Sequence, residues 1–99
     1  MTQVWRAVAT TATVQPGSAI LANTSTAAWT LTLPASPSTG DQVSIIDSNY
    51  KFNTNALTIA GNGSNIANTS TNLVINTQGA GFSLVYSDNA TIGWTYREK

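Results

Sequence analysis

The sequence predicts an all-β domain, a small antiparallel β-sandwich or barrel-like unit of about seven to eight short strands. Three observations predict it. Apolar residues recur at every second position, and no window holds the three- and four-residue spacing of a helix for more than a turn. Thr, Ser and Asn supply 16, 10 and 10 residues, and β-branched Thr and backbone-competing Asn both disfavour helix. Turn-forming clusters separate the apolar runs at short intervals.

The elements follow in chain order. Val4-Trp5-Arg6-Ala7-Val8 lies ahead of the Pro16-Gly17-Ser18 break, and residues 1–15 read as a first strand or as an arm laid across another chain. Residues 16–99 form the sandwich. Ala19-Ile20-Leu21 is its first strand, closed by Asn23-Thr24-Ser25. Trp29, Leu31 and Leu33 then alternate with Thr30 and Thr32. Pro34 to Asp41 is a long connection, because Pro34 and Pro37 cannot donate to a ladder. Val43-Ser44-Ile45, Leu57-Thr58-Ile59 and Leu73-Val74-Ile75 are further strands, separated by Ser48-Asn49 and Gly61-Asn62-Gly63. Gly79-Ala80-Gly81 precedes the alternation of Phe82, Leu84 and Tyr86, and Asp88-Asn89 precedes Trp94-Thr95-Tyr96. Trp29, Phe82 and Trp94 are core residues on this pattern. The recurrence of Asn-Thr-Ser-Thr at Asn23 and Asn68 reads equally as duplicated units or as chance in so biased a composition.

Charge is the anomaly. Only 8% of residues are charged and the net charge is zero, where about 25% is usual. This argues against duplex DNA and anionic membranes as partners. The first residues are too polar for a signal peptide, and no apolar run approaches the roughly 20 residues of a membrane span. A soluble protein made in a cytoplasm is expected, and the start Met with the charged Arg97-Glu98-Lys99 end reads as a complete small gene product. There is no His and no Cys, which removes the commonest general base, the thiol nucleophile and thiolate zinc sites.

The inventory for catalysis is accordingly thin. Asp41, Asp47 and Asp88 sit at turn positions, where a carboxylate caps backbone amides. Their spacing does not suggest a glycosidase pair. A calcium site from Asp47, Asn49 and backbone carbonyls would lack a second nearby carboxylate. Gly61-Asn62-Gly63 lacks the following helix that cradles phosphate. The Asn-X-Ser/Thr triplets at Asn23, Asn62, Asn68 and Asn89 follow from composition. No catalytic, cofactor-binding or metal-binding residue is assigned, and the chain is read as a non-enzyme.

A surface of hydroxyls and amides buries more cheaply than one of Lys and Glu, which suits a protein that packs by shape. The charges that usually blunt exposed sheet edges are scarce, so edges paired in a homo-oligomer are expected. The run Ile20-Leu21-Ala22-Asn23-Thr24-Ser25, then Trp29 to Pro37, then Gly40-Asp41-Gln42-Val43-Ser44-Ile45-Ile46-Asp47 resembles a domain of tailed-bacteriophage virion proteins. Phe52, Asn55 to Ile59, Gly63 to Ile66, Leu84-Val85-Tyr86 and Gly93-Trp94 continue the resemblance, which spans about residues 14–96. Leu33-Pro34-Ala35-Ser36-Pro37 with Gly40-Asp41 is its distinctive piece.

The resemblance implies a sandwich-like fold, frequent trimers and no catalytic residues. It implies a structural protein of the virion surface, either a capsid decoration (cement) protein or part of a tail fibre. The free-standing length favours a cement protein that bridges major-capsid subunits. Val4, Trp5 and Val8 are its expected interface arm, and Tyr50 and Phe52 a second contact. The alternative is a receptor-binding module attached to a tail-fibre shaft, reading host-surface glycan with Tyr50, Trp5 or Trp94 as stacking platforms.

Overall fold

The computed structural model describes residues 4–97. Among the described residues there are nine strands: β1 (Trp5–Val8), β2 (Ala12–Thr13), β3 (Ala19–Ala22), β4 (Trp29–Thr32), β5 (Gln42–Asp47), β6 (Leu57–Ala60), β7 (Leu73–Ile75), β8 (Gly81–Tyr86) and β9 (Trp94–Arg97). They form a five-stranded sheet in the order β1-β3-β5-β8-β9 and a four-stranded sheet in the order β2-β4-β6-β7. The described residues contain no helix. The all-β, sandwich-like expectation holds.

The sheets are mixed rather than purely antiparallel. The first six strands alternate between the sheets, so each connection crosses the core and the next crosses back. Strands returning to one sheet therefore run in one direction: β1–β3, β3–β5, β2–β4 and β4–β6 are all parallel. Only β6–β7, β5–β8 and β8–β9 are antiparallel. Pairing direction is set by where each loop goes, and a four-residue alternation carries no record of it. The N-terminal segment contributes an edge strand to each sheet, β1 beside β3 and β2 beside β4.

The core lies between the sheets. From the larger sheet come Ile20, Val43, Ile45, Leu84 and Trp94; from the smaller come Trp29, Leu31, Leu57 and Ile59, all buried. Burying each side chain of this size contributes roughly 1.5–3 kcal/mol. Trp29 also donates its indole N–H to the Asn23 carbonyl at 2.9 Å, which joins the β3–β4 turn to the core. Trp94 packs edge-on against Tyr86, with ring centroids 5.5 Å apart. Phe82 is only half-buried but packs on the same cluster. The two Asn-Thr-Ser-Thr runs have different surroundings: Thr24 is buried, whereas its counterpart Thr69 is exposed.

Gly93 shows why one turn tolerates no side chain. Its φ is +73°, and a Cβ there would collide with the Asn65 carbonyl. That carbonyl accepts the Trp94 N–H at 2.8 Å, so the close approach places β9 against the 65–67 segment.

Candidate functional site

Alternation along β5 sorts its side chains into two sets. Val43, Ile45 and Asp47 turn inward and are buried, while Gln42 and Ile46 are exposed on the outer face with Ser44 between them. The register carries this pattern across the sheet. Trp5, Ala19, Ser44 and Ser83 make one outward row. Ala7, Leu21, Ile46 and Gly81 make the next, and Gln42, Val85 and Thr95 a third.

The side chains of the first row are small except at its end, so the face is hollowed there. Ala19 and Ser44 are 2% and 6% exposed, and Trp5 stands over the row as a wall. The groove has a volume of about 680 Å³ and is lined by Trp5, Ser44, Ile46, Gly81, Ser83, Val85, Thr95 and Tyr96 among others. Its polar floor is partly satisfied internally: the Ser44 and Ser83 hydroxyls are 3.0 Å apart and share one hydrogen bond, which leaves one of the two O–H groups to donate elsewhere. None of the described lining residues is charged. Arg6 falls in the inward set of β1 with Val8, and Arg97 is the register partner of Ser83 on β9.

The expected interface residues do not form one patch. Val4 and Trp5 are exposed, at 81% and 38%, and Trp5 lines the groove. Val8 packs against the core. Tyr50 is exposed in the loop past the end of β5, with its ring against Gly79. Phe52 corrects the expectation outright, being fully buried in the core. Trp94 is equally buried and presents no stacking face.

Asp47 explains Phe52. Its carboxylate, itself fully buried, accepts the Lys51 and Phe52 backbone N–H groups, both at 3.0 Å, and the Gly79 N–H at 3.0 Å. Three amide dipoles thus replace water around the charge and fold the loop so that Phe52 drops between the sheets. Those donors are the wrong polarity for a cation site, which needs oxygen ligands converging on the metal. Among the described residues no cluster of three or more His, Cys, Asp or Glu side chains occurs.

Asp41 is also committed to structure. It accepts the Ser38 N–H at 2.8 Å on its carboxylate, while its own N–H donates to the Ser38 carbonyl at 2.9 Å. Asp41 and Asp47 flank the ends of β5, so about 20 Å of extended chain separates them. Paired carboxyls acting on one sugar stand about 5–10 Å apart, so these two are not such a pair.

A second hollow of about 400 Å³ opens where β7 faces β8 and β9, lined by Leu73, Ile75, Gln78, Phe82 and Tyr96 among others. Sequence reasoning missed both hollows. The outward alternates of β5 and β8 were visible as Ser44, Ile46, Ser83 and Val85, but only the strand order brings them beside Trp5. No protein-family model matches the sequence, and no curated protein matches it.

Proposed function

We propose that the protein is a non-catalytic attachment domain of a tailed-phage particle, a capsid cement protein that seats on major-capsid subunits through the outer face of its five-stranded sheet. The observation that carries this reading is the groove walled by Trp5, whose described lining residues are all uncharged. The hydrogen bond within its floor leaves one hydroxyl hydrogen for a covering surface to accept, so the contact needs only one polar partner there. Its apolar members, Trp5, Ile46 and Val85, remain partly exposed, and an aromatic anchor in a neutral hollow is the arrangement that supplies most binding energy at protein interfaces. The phage assignment rests on the sequence resemblance. Copies joined in a homo-oligomer would bind with the avidity of several weak contacts.

A second reading, glycan recognition at a tail fibre, draws on Tyr50. Tyr50 is 62% exposed, and its ring lies against Gly79, whose missing Cβ leaves room for it. Binding to purified capsids lacking the protein, measured beside binding to host glycans, separates the two. Under the cement reading, Trp5→Ala lowers capsid occupancy while the isolated domain keeps its fold, and the protein raises the heat resistance of capsids. Glycan binding lost on Tyr50→Ala, with capsids unaffected by the protein, would favour the fibre.

A further inference from the structure

A sheet edge presents unpaired N–H and C=O groups, and proteins guard such edges with charges, brevity or cover. The four edges here differ in this respect. β1 carries Arg6 in an inward position, a common guard. β2 is two residues long, and Pro16 follows soon after. β9 is covered at its start by the 65–67 segment, which bonds to both backbone groups of Trp94, and it ends at Arg97.

β7 is short, at three residues, but has neither charge nor proline, and among the described residues no other segment bonds to its backbone edge. From Phe52 to Ser87 no residue is charged, and none is proline. Val74, at its centre, is 55% exposed. Leu73 and Ile75, on the inner side, are half-buried against the core and line the 400 Å³ hollow with Phe82 and Tyr96.

We propose that β7 is the edge through which two copies of this chain associate, Leu73–Ile75 of one copy pairing antiparallel with Leu73–Ile75 of the other about a two-fold axis at Val74. A strand without charge is compatible with its own copy, because a two-fold axis sets each residue near its equivalent and any charge would face its like. The added strand extends the smaller sheet over the hollow, so Leu73 and Ile75 of both copies cover apolar surface that one copy leaves open. Two-fold pairing gives a dimer, unlike the trimer that the resemblance implies. A three-residue ladder is smaller than a standard stable interface, so the dimer is concentration-dependent. β7 takes no part in the groove of the other sheet, and the dimer stands or falls independently of the cement reading.

Sedimentation velocity of the full chain across a wide concentration range tests it, with Val74→Lys and Val74→Glu as variants. The exposed position lets both variants keep the wild-type circular dichroism spectrum. The expected result is a reversible dimer in the wild type, weakened about tenfold or more in each variant and restored when the two variants are mixed. A wild type that stays monomeric throughout, a dimer indifferent to both substitutions, or a trimer would overturn the proposal.

Discussion

The Asp47 carboxylate accepts the Gly79 amide hydrogen at 3.0 Å across 32 residues of sequence. The bond ties the end of β5 to the loop that enters β8, while the same carboxylate shapes the loop carrying Phe52. One buried acid thus sets the geometry of two loops.

Asp47→Asn therefore destabilises the fold by about 2–4 kcal/mol, read as a lower urea midpoint with an unchanged slope. The amide nitrogen cannot accept, so at least one of the three amide donors loses its partner. Retention of the wild-type midpoint would mean that the loops are held by other contacts.

Gly93→Ala and Gly17→Ala form a matched pair. Both glycines have positive φ, +73° and +86°, but only at Gly93 does a Cβ meet backbone. Gly17→Ala costs about 1 kcal/mol from conformation alone, and Gly93→Ala costs at least about 2 kcal/mol more than that. Thermal denaturation of the two variants side by side measures the difference.

Thr24 offers a gain. Its side chain is fully buried and its hydroxyl has no hydrogen-bond partner. Thr24→Val replaces the orphaned oxygen by a methyl group of similar size, which leaves stability unchanged or raises it by about 1 kcal/mol. A marked loss on denaturation would show that the hydroxyl is satisfied in solution.

Much of this was legible in the residues. The alternation around Trp29 and Leu31 located β4, and that of Phe82, Leu84 and Tyr86 located β8, because period two is a local property. Gly61-Asn62-Gly63 was recognisable as a turn, and Asn62 and Gly63 both adopt positive φ there. The parallel pairing of β1, β3 and β5 was not legible, since it depends on loops crossing between sheets. Neither was β2, whose two residues Ala12 and Thr13 are too few for any period. Phe52 misled for a related reason: its stretch is polar, and only the buried Asp47 several residues earlier turns its ring inward. The groove was half legible. Trp5 stood out by type, but its companions Ser44 and Ser83 are unremarkable alone and acquire meaning only as neighbours in a row.

The most direct measurement of the attachment face places one charge on each sheet in turn. Val85 lines the groove on the larger sheet and is 36% exposed, while Thr58 lies on the outer side of the smaller sheet, between Thr30 and Val74. Affinity for capsids lacking the protein is measured for Val85→Arg and Thr58→Arg, after both are found to melt like the wild type. Attachment through the larger sheet means that Val85→Arg weakens binding about tenfold or more and that Thr58→Arg leaves it unchanged. Undiminished binding by Val85→Arg, or a loss confined to Thr58→Arg, would contradict it.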